Sequence, residues 1–137
     1  MAVKRPGLAL LVCLAAAACN PGTPVVADGL VLLRWGHVDA RPLGLTVGRL
    51  AFEGGCVGVE GIAGETVVVL WPPDTQFDAS AGALRVVING IAFAEGQELR
   101  LGGGEATDET WIRSLVGSLP QACQSDRYIL ATELVVG

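Results

Sequence analysis

Residues 66–71, Thr-Val-Val-Val-Leu-Trp, constrain what this chain can fold into more than any other segment. The run is β-branched and carries no charge, which suits a pleated sheet and places it centrally in one. Pro72-Pro73 ends it, because neither residue can donate to a strand ladder. The stretches around it follow suit. Leu50 and Phe52 alternate with Arg49, Ala51 and Glu53, the period of a half-buried strand, and Gly54-Gly55 permits a bend before Cys56, Val57 and Val59 resume it.

The same punctuation continues along the chain. Leu30 to Trp35 is an apolar first strand, and Arg41-Pro42-Leu43-Gly44 marks a loop. Gly61 to Gly64 is a turn, and Gln76 to Gly82 reads as a loop. Leu84 to Ile88 and Ile91 to Ala94 flank Asn89-Gly90, a hairpin signal. Glu98 to Leu101 alternates, and Gly102-Gly103-Gly104 is expected to halt regular structure. One short helix is predicted: Thr107 or Asp108 caps it, Glu109 suits its positive end, and Gly117 stops it. Trp111, Ile112, Leu115 and Val116 share its inner face. Tyr128 to Val136 is a closing strand.

Short strands with frequent turns and one helix define a mainly β domain. A meander, a return strand, a helix and a final strand favour a small OB-like β-barrel with the helix plugging one end. A β-sandwich is the alternative. The expected organisation is a signal segment over 1–18, a tether over 19–28 rich in Pro21, Gly22 and Pro24, and a single domain over 29–137.

The signal reading rests on the first residues. Lys4 and Arg5 precede an apolar run, Leu8 to Ala18, of about 11 residues, the span of a secretory h-region and short of the roughly 20 needed to cross a bilayer. Ala16-Ala17-Ala18-Cys19 follows. This resembles a bacterial lipoprotein signal. The resemblance implies a diacylglyceryl group on the Cys19 sulfur, cleavage just before it, and a membrane anchor. Ala16 stands where such signals usually carry leucine. An ordinary secretory signal cleaved near Ala18 is the alternative.

Removing Lys4 and Arg5 leaves seven arginines against fourteen acids, a charge of −7 before the termini are counted. Such a body carries no electrostatic footprint for nucleic acid. At 137 residues the chain is also too short for a multidomain enzyme, a multispan transporter or a long repeat array. Of four cysteines, Cys13 leaves with the signal and Cys19 takes the lipid, so Cys56 and Cys123 remain. An even pair in an exported protein suggests a disulfide, with two buried thiols as the alternative.

Several segments together are similar to a family of small exported or lipid-anchored domains, uncharacterised in function, in bacteria of high genomic G+C content. They are Gly55-Cys56, Trp71-Pro72-Pro73, Gly102-Gly103-Gly104 and Leu119-Pro120 with Cys123, spread over roughly residues 45–136. The resemblance supports the disulfide and the β fold and implies no chemistry.

Catalytic sets are poorly represented. His37 is the single imidazole, and no serine lies in a Gly-x-Ser-x-Gly frame. The glycine run lacks the lysine of a phosphate loop. Neither metal nor cofactor is expected. The candidates for ligand or partner binding are therefore an aromatic platform at Trp71 and a loop at Gly102, Gly103, Gly104 and Glu105, with core packing as the competing role of Trp71. Trp35 and His37 are a further candidate patch. The expectation is a lipid-anchored, non-enzymatic envelope domain that binds a partner protein or envelope polymer. The alternative is a small-ligand or oligosaccharide-binding module.

Overall fold

The computed structural model describes residues 22–38 and 43–136. The signal segment, Cys19 and the Arg41-Pro42 part of the expected loop lie outside the described residues. Ten strands and one α-helix follow in chain order: β1 (Val25–Ala27), β2 (Leu30–Leu32), β3 (Leu45–Ala51), β4 (Gly58–Glu60), β5 (Thr66–Leu70), β6 (Gln76–Asp78), β7 (Arg85–Ile88), β8 (Ile91–Ala94), β9 (Glu98–Ala106), α1 (Glu109–Val116) and β10 (Tyr128–Leu134). The described residues are mainly β with one α-helix, as the patterning predicts.

Five strands close into a barrel in the order β10-β5-β4-β3-β9. The valine-rich β5 is central, antiparallel to β4 on one edge and parallel to β10 on the other. Its alternation divides the protein into two apolar layers. Val69 and Trp71 join Leu50, Val57, Val59, Leu99, Leu101 and Ala131 inside the barrel. Val68 and Leu70 point outward with Tyr128 and Leu130, and meet Leu33, Trp35, Ile112, Leu115 and Val116.

The helix begins where expected. The Asp108 side chain accepts a hydrogen bond from the Trp111 N–H, and Gly117 ends the helix at φ 74°. Its position differs from the expected plug. Its buried residues belong to the outer layer on β5 and β10, whereas Val86, Ile88 and Phe93, from the three-stranded sheet β6-β7-β8, pack with the barrel interior. The inserted sheet takes the covering role, because its alternating Val86 and Ile88 offer one apolar face.

Two stretches expected to be irregular are ordered. The tether reading of 19–28 is corrected from Val25 onward: β1 pairs with β2 through Asp28-Gly29. Both turn residues have positive φ, 51° and 78°, the geometry that an Asp-Gly pair supplies at a two-residue hairpin. The segment Gln76 to Gly82 is not all loop either, since β6 pairs with β7 from Gln76 to Asp78. The Arg85 guanidinium holds Asp78 at 3.0 Å. The Asp78 carboxyl is held below the usual carboxylate range first by the Ser80 N–H and then by Arg85.

Cys56 and Cys123 form a disulfide, with a Cα–Cα distance of 5.2 Å. It joins Cys56, two residues ahead of β4, to a 3-10 turn, Gln121–Cys123, ahead of β10. Both cysteines are buried in the outer layer, so the bond clamps that layer to the barrel.

Candidate functional site

The residues singled out in the sequence do not assemble into an exposed site. Trp71 is fully buried, and its indole N–H donates to the Val57 carbonyl at 3.1 Å. It fills the barrel rather than presenting a platform, because the β5 alternation that buries Val67 and Val69 continues through it. Trp35 is buried too and donates from Nε1 to the Ala131 carbonyl at 2.8 Å. His37 is exposed, so the two do not share a surface patch.

Gly102, Gly103 and Gly104 are not a loop. They lie within β9, where all three pair with β10 and Gly102 also pairs with Leu45 of β3. The register of β10 shifts between Ala131 and Glu133 opposite this run, a β-bulge. A Cβ placed on Gly103 would run into the Leu130 carbonyl oxygen, and its φ is 134°. The run therefore lets two backbones approach where the barrel closes. Glu105 is exposed and forms an ion pair with Arg127 at 3.1 Å. That places it on a solvated ladder, paired with a charge of its own chain.

The outer surface of β3 carries what sequence reasoning missed. Arg49 pairs in register with Glu60 on β4 and with Glu98 on β9. Glu53 and Glu95 line a hollow of about 180 Å³ beside it. Further along, Val47, Arg49, Glu60, Ile62 and Glu98 line a second hollow of about 360 Å³. Leu45 is 56% exposed and Ile62 is fully exposed. The strand registers bring both to the barrel end where β3 and β5 begin. A usable signal was present: Leu45 and Val47 are out of phase with Leu50, so β3 has apolar residues on both faces and only one face can enter the core.

A third groove, of about 520 Å³, runs between Ile91 and Phe93 of β8, Arg100 of β9, and Leu134 to Val136. Its lining offers apolar side chains and the charges Glu98 and Arg100 without a nucleophile-base pair. Among the described residues, no group of three His, Cys, Asp or Glu is placed to hold a metal ion, and no helix is long and apolar enough to cross a membrane. The arrangement offers contact surfaces: an aliphatic tip at Leu45 and Ile62, and a carboxylate-rich face around Arg49.

One buried titratable group lies apart from these surfaces. Tyr128 is buried, and its hydroxyl oxygen accepts the Ser125 N–H at 2.8 Å. Burial raises its phenol above the ordinary value of 10.0. A raised folded-state value means the neutral phenol favours the fold. That contribution is complete below pH 10 and is lost as pH rises through the folded value. Tyr128 is the single tyrosine, so phenolate absorbance reports it alone. An alkaline titration is expected to show a midpoint above that of the urea-unfolded chain, with melting temperature falling over the same range. Coincident midpoints contradict this.

Comparison with protein families, curated proteins and solved structures finds no match for this chain.

Proposed function

We propose that this chain is a lipid-anchored, non-enzymatic domain of the bacterial cell envelope that binds a partner protein or an envelope polymer. The observation that carries the reading is the Cys56–Cys123 disulfide, taken with the signal-like first residues. A disulfide persists in oxidising compartments and is rare in the cytosol. The lipobox-like Ala16-Ala17-Ala18-Cys19 supplies the anchor in this reading, and the diacylglyceryl group inserts at roughly 0.8 kcal/mol per buried methylene.

Binding is assigned to the β3 side. Leu45 and Ile62 are large aliphatic side chains left in water, bordered by Arg49, Glu60 and Glu98. Exposed apolar groups rimmed by charge suit a protein or polymer contact. The ligand-module alternative used the barrel face with loops at Trp71 and Gly102; Trp71 is buried in the core and the glycines are paired within β9, which leaves the barrel face as its remaining support. A Cys19→Ser variant tests the anchor. Expressed in a bacterium that processes lipoproteins, the unchanged chain is expected in the membrane fraction and the variant in the soluble extracytoplasmic fraction. Identical membrane recovery of the two contradicts lipid attachment at Cys19.

A further inference from the structure

We infer that the α1 side of the barrel faces the phospholipid headgroups and that the β3 side is turned away from them. This rests on the anchoring proposed above. The chain is fastened to the body from Gly22 onward. The Gly22 N–H donates to the Leu115 carbonyl at 2.8 Å, and Arg34 Nε donates to the Thr23 carbonyl at 2.9 Å. The fit at Gly22 is close, since a Cβ there would meet the Arg34 carbonyl.

Only Asn20 and Pro21 separate Cys19 from Gly22. Three residue steps of extended chain span at most about 11 Å. A lipid on Cys19 therefore holds the C-terminal end of α1, where Leu115 receives Gly22, against the headgroup layer. A free tether over 19–28 would have left the body to tumble, but Thr23 and the β1–β2 hairpin remove that slack.

The distribution of charge points the same way. The barrel order β10-β5-β4-β3-β9 sets β3 across from the β5–β10 pair that α1 covers. Four carboxylates, Glu53, Glu60, Glu95 and Glu98, lie around Arg49 on that far side, where Arg100, opposite Val47, is a second cation, leaving that group of six with an excess of negative charge. At the point of attachment the cation Arg34 holds the Thr23 carbonyl, and on α1 the Arg113 guanidinium is balanced by Glu109 at 2.9 Å, so this side carries no excess of carboxylate there. An anionic bilayer attracts cationic groups and repels carboxylates within about a Debye length, ~8–10 Å, which is also the reach of the tether. Tether and field thus select the same orientation, and they leave Leu45 and Ile62 pointing into the envelope space, where a partner can reach them.

The test uses the full lipidated protein in vesicles of phosphatidylethanolamine and phosphatidylglycerol that carry a nitroxide on the headgroup. A fluorescent non-natural amino acid is placed in separate samples at Ser118, just past α1, or at Leu45, both exposed. Quenching is expected to be several-fold stronger at 118 than at 45. Equal quenching in vesicle-bound protein overturns the orientation while leaving the anchor standing. Failure of the protein to float with the vesicles overturns the anchor, and the orientation with it. A Gly/Ser insertion of about ten residues between Asn20 and Pro21 is expected to preserve flotation and level the two signals. An undiminished contrast after insertion overturns the short tether as its cause.

Discussion

Replacing Cys56 and Cys123 together with alanine is expected to lower the melting temperature by roughly 15 °C. The two cysteines are 67 residues apart in sequence. Closing a loop of that length removes enough unfolded-state entropy to stabilise the fold by about 4 kcal/mol in the chain-entropy account. For a body of this size each kcal/mol corresponds to about 4 °C. The share is large because a small domain has only about 5–15 kcal/mol in all. Structure reinforces the effect, since both cysteines pack in the layer where α1 and Leu33 meet β5 and β10. Loss of the clamp therefore loosens the outer layer before the barrel itself. Calorimetry of the oxidised, reduced and double-alanine proteins checks this. Reduced and double-alanine forms should melt close together and far below the oxidised form. A difference of a few degrees contradicts the clamp.

Trp71→Ala is expected to cost about 3–5 kcal/mol, the range for emptying a large aromatic site in a packed core. Trp71 has no exposed surface and reaches the Val57 carbonyl from inside the barrel. Trp71→Phe is expected to cost less, about 1–3 kcal/mol, because it leaves the Val57 carbonyl without that donor while keeping much of the apolar volume. Urea unfolding followed by circular dichroism measures both. The midpoint should fall in the order unchanged, Phe, Ala with little change of slope. An exposed platform would behave differently: its removal would shift stability by no more than about 0.5 kcal/mol. That result contradicts the core placement.

These two sites show what the sequence made legible. The Val67–Trp71 run announced a central strand because β-branching, lack of charge and the Pro72-Pro73 stop all agree at one place. Asp108, Glu109 and Gly117 delimited α1 because capping is decided by residues within one turn of each helix end. The disulfide was readable from cysteine number and context rather than from spacing. The misreadings have a common cause. Gly102 to Gly104 read as a break because glycine is poor in strands, yet their partners, the Ala131–Glu133 bulge and the Leu130 carbonyl, lie almost thirty residues further along the chain. Only tertiary pairing creates the need for a side-chain-free strand there. The Asp28-Gly29 hairpin was within reach, since that dipeptide is a strong turn signal, but the flanking strands are three residues each and too short to show alternation.

The binding face was hidden for a different reason. Leu45 and Ile62 are ordinary core residue types; Leu45 is exposed because barrel closure admits only Thr46, Gly48 and Leu50 to the interior phase of β3, and Ile62 because it lies in the turn between β4 and β5. Glu60 and Glu98 are far apart in sequence and become neighbours of Arg49 only through register. No local pattern announces such a cross-strand cluster.

The proposed place of this protein is a stapled β domain held on a membrane through Cys19. The intact mass of the protein extracted from bacterial membranes, taken with and without reductant in the presence of an alkylating agent, tests this most directly. Anchoring at Cys19 predicts a chain beginning at that residue with a diacylglyceryl addition, and alkylation of Cys56 and Cys123 only after reduction. A full-length or unlipidated chain, or two cysteines that alkylate in the denatured protein without reductant, contradicts it.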